Sequence, residues 1–142
     1  MQLIDVNVMV YAFRTDAPDH EAYHEWVHQL VSGNTAYAVS DLILSGFLRI
    51  VTHPRVFSPP TPLPAALDFV HAYRDQPTAT IIEPGERHWP VFVELCRSAS
   101  ARGNLIPDAY LAALAIESGS EFVTTDRDYA RFPNLRWRHP LD

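Results

Sequence analysis

Short strand-like segments alternate with helical segments along the chain, and this alternation constrains the fold more than any other feature. Strand-like runs are predicted at residues 2–6, 35–39, 79–82, 121–125 and 135–138, and helical patterns at 20–33, 41–52, 64–74, 86–100 and 107–118. Residues 7–13 stay apolar and can turn from the first strand straight into a helix. The pattern predicts a single α/β domain over 1–142 with a mainly parallel sheet.

Composition excludes several classes of protein. No apolar run approaches the roughly 20 residues of a membrane span, and the N-terminus lacks a signal-peptide pattern, so a cytoplasmic protein without membrane contact is expected. The single cysteine, Cys96, excludes an internal disulfide framework and a multi-cysteine zinc site. The net charge of −6 argues against nucleic-acid binding through a broad basic face, but not against a nuclease with a metal-bound acidic site.

Aspartates stand where predicted strands end or a predicted helix begins. Asp5 closes the first strand, Asp126 and Asp128 follow the fourth, and Asp108 lies in the first turn of the helix before the fourth strand. Each has an ordinary structural role available: Asp5 as a helix cap, Asp108 at the positive end of a helix, and the other two as turn residues. Because sites in parallel α/β sheets lie at the carboxyl ends of strands, we expect the four to converge.

Converging carboxylates raise one another's pKa unless a cation compensates their charge. Oxygen ligands without a nearby Cys or His cluster favour Mg²⁺, with Mn²⁺ as the alternative. Such a site suits metal-assisted hydrolysis of a phosphodiester. Asn7 and either Thr124 or Thr125 are candidates for orienting the carboxylates.

These residues carry a resemblance to a known family. The segments DVNVMVYAF, GFLRIVTHPRVF, ARGNLIPDAYLAALAIESG and FVTTDRDYARFPNLRWRHPL resemble PIN-domain ribonucleases, and more closely the VapC toxins of type II toxin–antitoxin systems, in the branch abundant in mycobacteria. The resemblance extends from Asp5 to Leu141. It implies an α/β/α sandwich around a four- or five-stranded parallel sheet. It also implies a Mg²⁺-dependent endoribonuclease, usually homodimeric, that acts on RNA and is neutralised by a cognate antitoxin.

The resemblance also implies roles for individual residues. Asp5, Asp108 and Asp126 match the metal-binding acids, Asp128 matches a further catalytic acid, and Thr124 matches the threonine that commonly precedes the last acids. Arginines around the rim are hypothesised to hold RNA, namely Arg49, Arg55 and Arg127.

One departure from the family pattern concerns the second helix of the alternation. Gly46 stands where many PIN domains have a glutamate, so one acid of the usual four-acid pattern is replaced, although this branch commonly reads Gly-Phe-Leu-Arg. Asp41 is the nearest acid, but helical geometry places it about 140° away from Gly46.

Alternatives follow from the same residues. Gly46 motivates a degenerate, non-catalytic PIN domain that binds a partner protein. A PIN nuclease acting in RNA processing or on structured DNA is disfavoured by the small size of the chain. A phospho-acceptor domain would need a lysine on the last strand, and the chain has none.

Three histidines form a separate pattern. His20, His24 and His28 recur every four residues on one predicted helix. Two histidines at this spacing can share a zinc ion. No HExxH order accompanies them, so the pattern favours an exposed or partner-facing stripe.

Overall fold

The computed structural model describes residues 1–142 and has one five-stranded sheet at its centre. In chain order the strands are β1 (Gln2–Ile4), β2 (Tyr37–Val39), β3 (Ala79–Ile81), β4 (Glu121–Val123) and β5 (Trp137–Arg138). Their spatial order is β3-β2-β1-β4-β5, and every neighbouring pair is parallel. The predicted α/β class with a parallel sheet is therefore confirmed.

Helices connect the strands, because parallel strands need crossover connections. They are α1 (Val6–Phe13), α2 (His20–Ser32), α3 (Asp41–Val51), α4 (Leu63–Arg74), α5 (His88–Ser98) and α6 (Leu105–Ser118), and a short 3₁₀ helix covers Arg127–Arg131. Helix α1 packs against α2 and α3, α3 packs against α4, and α5 packs against α6. Helices flank the sheet as the predicted α/β/α sandwich requires. None of them is long and apolar enough to cross a membrane.

The chain builds the sheet outward from β1 in two directions. It passes through β2 and β3 on one side, and later places β4 and β5 on the other. Between β1 and β4 the connections diverge, and in such sheets a crevice opens there, outside the carboxyl ends of the strands. Ile4 pairs in register with Val123, and the N–H of Asp5 donates to the carbonyl of Val123 over 2.9 Å. Asp5 and Thr124, which follow these strands, therefore lie side by side at the crevice.

The elements next to this crevice begin and end close to the predicted residues, with two differences. The strand predicted over 2–6 ends at Ile4, because Asp5 already caps α1. The direct turn from strand to helix is confirmed. Helix α3 begins after Ser40 as predicted, but the Ser40 side chain makes no capping hydrogen bond.

Helix α6 carries Asp108 to the crevice. Its buried face is rich in alanine, which lets the helix approach its neighbours closely: Ala109, Ala112, Ala113, Leu114 and Ala115. The helix ends at Gly119, whose φ of 69° lies in the left-handed region that favours glycine. The chain can then turn directly into β4.

Candidate active site

Asp5 is the most buried acid of the crevice, with 7% of its surface exposed. Its Oδ1 accepts the backbone N–H of Val6 at 2.7 Å, which makes Asp5 the N-cap of α1. Its Oδ2 accepts the hydroxyl of Thr124, also at 2.7 Å. The capping role considered for Asp5 is thus real, but it occupies only one of the two carboxylate oxygens.

Thr124 joins the acids of the two strand ends. It is fully buried, and its hydroxyl oxygen also accepts the backbone N–H of Asp126 at 3.1 Å. Nδ2 of Asn7 lies 3.5 Å from the same oxygen, and Oδ1 of Asn7 accepts the N–H of Thr125 at 3.4 Å. Of the two threonine candidates, Thr124 orients a carboxylate, whereas Thr125 contributes its backbone to this network.

Asp126 and Asp128 share one tight turn after β4. Oδ1 of Asp126 accepts the N–H of Asp128 at 2.9 Å, so Asp126 caps the 3₁₀ helix that begins at Arg127. Asp126 is half-buried and Asp128 is exposed. The turn therefore places one acid deeper and one nearer the solvent.

Asp108 is half-buried in the first turn of α6, as predicted. The hydroxyl of Tyr129 donates to its Oδ1 over 3.3 Å. Tyr129 is buried and packs against Phe122, with ring centroids 4.7 Å apart. Sequence patterns did not single out Tyr129; its position three residues after Asp126 is the one available signal.

The pKa of Asp5 reflects its surroundings. Burial raises it to about 6 from an ordinary value of 3.8, while the hydrogen bonds from Thr124 and Val6 oppose the rise. The negative charges of Asp108 and Asp126 add to it. Asp5 is therefore electrostatically coupled to acids that are distant in sequence.

Asp108 and Tyr129 show the same coupling. Burial raises the pKa of Asp108, the Tyr129 hydrogen bond lowers it, and the charges of Asp126 and Asp128 raise it again. Burial also raises the pKa of the Tyr129 hydroxyl, with further contributions from Asp5 and Asp108. Tyr129 consequently remains a protonated donor at neutral pH.

The acids lie near one another in the crevice, but their side chains are not arranged as a set of metal ligands. No group of three or more His, Cys, Asp or Glu side chains is close enough together to hold a metal ion. The chemistry of the donors nevertheless fits a hard divalent cation, because all are carboxylate oxygens. A cation between Asp5 and Asp108 would also favour the charged forms that burial and mutual repulsion now disfavour.

Gly46, the position on α3 that departs from the usual PIN pattern, is closely packed. A Cβ at Gly46 would lie 3.0 Å from Cγ2 of Val6, the residue after Asp5. A glutamate at this position would require Val6 to shift. Asp41 does not replace it, because its carboxylate is paired with Arg74, with Nε 2.9 Å from Oδ1.

The three rim arginines have different surroundings. Both terminal nitrogens of Arg127 donate to the carboxylate of Asp142, at 3.0 and 2.9 Å, so its guanidinium is held at the C-terminus. Arg55 is exposed in the proline-rich loop. Arg49 lines a surface cavity of about 600 Å³, whose wall includes the residue preceding Asp108. Of the three, Arg49 is thus the one that the structure relates to the crevice.

Comparison with known proteins agrees with the fold and the crevice. The family model described as PIN domain matches residues 3–135. "Ribonuclease VapC43" of Mycobacterium tuberculosis is 44% identical over 142 residues, covering 100% of this chain and 97% of the relative. "Ribonuclease VapC25" of the same organism is 41% identical over 140 residues, covering 99% of each.

Two solved structures resemble the fold. One is VapBC2 from Rickettsia felis bound to a promoter DNA fragment, with a TM-score of 0.71, 21% identity and 97% of each chain covered. The other is VapBC-1 from nontypeable Haemophilus influenzae, with a TM-score of 0.70, 13% identity, and coverage of 99% of this chain and 98% of that one. Fold, crevice and relatives agree: the chain belongs to the PIN-domain family and, within it, to the VapC proteins.

Proposed function

We propose that this chain is a metal-dependent endoribonuclease toxin of a type II toxin–antitoxin system. The observation that carries the proposal is the crevice itself, where the charges of Asp108 and Asp126 raise the pKa of Asp5 and the charge of Asp126 raises the pKa of Asp108. No basic side chain forms an ion pair with these three acids. The ribonuclease names of relatives 41–44% identical over nearly the whole chain support RNA as the substrate. A crevice whose carboxylates can hold divalent cations suits the hydrolysis of a phosphodiester bond.

The proposed metal ligands are Asp5, Asp108 and Asp126, with Asp128 binding the ion or positioning water. Mg²⁺ is the proposed ion and Mn²⁺ the alternative, because both prefer carboxylate oxygens. When bound, such an ion lowers the pKa of a water molecule and stabilises negative charge on the phosphate oxygens.

The protein's own residues contribute orientation and a low-dielectric environment. The Thr124 hydroxyl fixes Oδ2 of Asp5, and the Tyr129 hydroxyl holds Oδ1 of Asp108. Both donors are buried, so water does not compete strongly for these bonds. Thr124 and Tyr129 are therefore positioning residues, which set the direction from which the carboxylates meet a cation.

A cognate antitoxin is the proposed protein partner, and a homodimer the proposed assembly. The fold match to VapBC structures supports the first, and the family resemblance alone motivates the second. Light scattering of the purified chain, with and without the antitoxin from the same operon, measures both.

The decisive experiment is cleavage of a labelled RNA pool by the antitoxin-free chain in Mg²⁺, in Mn²⁺ and in EDTA. The test variant is Asp5→Asn, because asparagine caps helices about as well as aspartate and so preserves the start of α1. The matched control is Asp68→Asn, which changes an exposed acid on α4.

Metal-dependent cleavage that Asp5→Asn abolishes and Asp68→Asn retains supports the proposal. Cleavage that survives both EDTA and Asp5→Asn contradicts it. Binding of Mg²⁺ must be measured in parallel by calorimetry. A folded chain that neither binds metal nor cleaves RNA is a non-catalytic PIN domain, whereas metal binding without cleavage points to a narrow RNA target.

A further inference from the structure

The three histidines of α2 have no role in the proposed nuclease, yet two of them are held in a defined way. Nδ1 of His20 lies 2.8 Å from the carbonyl oxygen of Tyr11, and Nδ1 of His24 lies 3.2 Å from that of Ala12. A carbonyl oxygen can only accept a hydrogen bond. In both imidazoles Nδ1 therefore carries the proton.

These two bonds have a structural purpose and a chemical consequence. Tyr11 and Ala12 lie in the last turn of α1, where backbone carbonyls lack partners within the helix. The bonds also leave the lone pair of Nε2 free in the neutral ring. Histidines that bind metals are commonly fixed in this way, with one ring nitrogen on a carbonyl and the other on the ion.

The spacing of the rings allows His20 and His24 to share one ion. With a Zn–N distance of about 2.0–2.1 Å, the centroids of two imidazoles that share an ion lie at most about 6.6 Å apart. The centroids of His20 and His24 are 5.6 Å apart, which is within this limit. The centroids of His24 and His28 are 6.4 Å apart, close to this limit, and the His28 ring lacks the carbonyl hydrogen bond that fixes the other two.

We propose that His20 and His24 form a two-histidine site for a divalent transition metal such as Zn²⁺, distinct from the acidic crevice. Imidazole nitrogens favour zinc, copper and nickel, whereas carboxylates favour Mg²⁺ and Mn²⁺, so the two sites select different ions. No third protein ligand is in place, since no group of three His, Cys, Asp or Glu can hold a metal. Water completes the coordination.

An ion at this site also affects the fold. A metal on Nε2 withdraws electron density from the ring and makes the Nδ1 proton a stronger donor. The hydrogen bonds to the carbonyls of Tyr11 and Ala12 then strengthen. Because these carbonyls belong to α1 and the histidines to α2, the ion ties the two helices together more firmly.

The first test uses nuclear magnetic resonance of the full, ¹⁵N-labelled chain. Spectra of the imidazole nitrogens without metal should show the Nδ1–H form for His20 and His24. Titration with zinc chloride should shift the Nε2 resonances of these two residues. Zinc bound at the acidic crevice leaves them unchanged, so the readout separates the two sites.

The second test uses variants that keep the hydrogen bonds. His20→Asn and His24→Asn place an amide N–H where Nδ1–H stands and remove Nε2. With excess Mg²⁺ present to compete for the acidic crevice, each should weaken zinc binding by calorimetry at least about tenfold and reduce the rise in Tm that zinc produces in the wild type. His28→Asn is the matched control, and should change the affinity by less than about twofold.

Three results overturn the proposal. They are an Nε2–H tautomer in the metal-free chain, imidazole resonances that do not respond to zinc, and an equal loss of affinity in His28→Asn. If an asparagine variant fails to fold, the wild-type titration still decides the question.

Discussion

Two aspartates stand near the carboxyl ends of neighbouring strands and behave in opposite ways. Asp5 comes directly after β1 and is the N-cap of α1. Asp41 is separated from β2 by Ser40 and is the first residue of α3. Asp41 is exposed, and the hydrogen bond from Arg74 lowers its pKa. Asp5 is buried, and burial raises its pKa. The position of an acid at the carboxyl end of a strand therefore does not by itself mark a functional residue.

The same contrast separates the other acids. Asp16 and Asp142 are paired with Arg14 and Arg127, and these hydrogen bonds lower their pKa values. Asp108 has no such partner, and its pKa is raised. The charges of the arginine-paired acids are compensated at the surface, whereas the crevice acids have no arginine partner and are available to a cation.

The largest effect on RNA cleavage should come from the crevice acids that have no arginine partner. Asp108→Asn and Asp126→Asn should each lower RNA cleavage at least about 100-fold, because loss of an outer hydrogen-bond partner alone costs 10- to 100-fold. Asp142→Asn, an arginine-paired acid, is the control and should retain near-normal cleavage. Comparable loss in all three would break the distinction between partnered and unpartnered acids. The measurement is the initial rate on labelled RNA in Mg²⁺.

The pH dependence of stability should separate Asp5 from the paired acids. Its folded pKa of about 6 exceeds the ordinary 3.8, so the metal-free folded state binds the proton more tightly. The Asp5 contribution is therefore present below about pH 4 and is lost as pH rises through about 6, a loss of about 3 kcal/mol. Arginine-paired acids act with the opposite sign and lose stability as pH falls.

Urea unfolding in EDTA between pH 4 and 7.5 isolates this contribution when Asp5→Asn is compared with the wild type. The variant should gain stability relative to the wild type as pH rises. Parallel pH profiles for the two proteins would show that Asp5 is not desolvated in the folded state.

Thr124→Val should have a smaller effect on cleavage than loss of an acid. The change removes the donor to Asp5 and the acceptor for the N–H of Asp126. We expect cleavage to fall about 10- to 100-fold, and the free energy of unfolding to fall by about 1–3 kcal/mol. Thr125→Val is the matched control, since Thr125 joins the network through its backbone. Equal effects of the two variants would remove Thr124 from its positioning role.

The smallest effect should come from Asp41→Asn. The carboxylate and Arg74 are both substantially exposed, and exposed ion pairs often contribute nothing measurable. Cleavage should change by less than about twofold and Tm should stay the same at physiological salt. A large loss of cleavage would mean that Asp41 takes the role of the glutamate that many PIN domains have at the position of Gly46.

The elements that position the site could be predicted from the sequence. The apolar runs that end at Ile4 and Val123 locate both strands, although each strand ends two residues earlier than predicted. Asp108 was placed in a first helical turn because Pro107 precedes it. Local patterns of this kind depend on neighbours in sequence.

The sequence marks Thr124 and Thr125 as candidates for orienting a carboxylate, but which acid each one contacts could not be predicted, because that depends on register and packing. The bond between Asp5 and Thr124 joins residues 119 apart and requires the pairing of β1 with β4. Tyr129 reaches Asp108 from a 3₁₀ turn that carries no strong sequence signal. Ser40 looks like a helix cap in sequence, yet its side chain makes no capping bond.

Asp5 both caps α1 and supplies a carboxylate to the crevice, and this dual role constrains how this protein can evolve. Replacement by alanine removes a helix cap together with the carboxylate, and helix caps are worth about 0.5–2 kcal/mol. Replacement by asparagine or serine keeps a capping oxygen and removes the charge. Lineages that lose the charge at position 5 while conserving the fold should therefore carry asparagine or serine there more often than alanine.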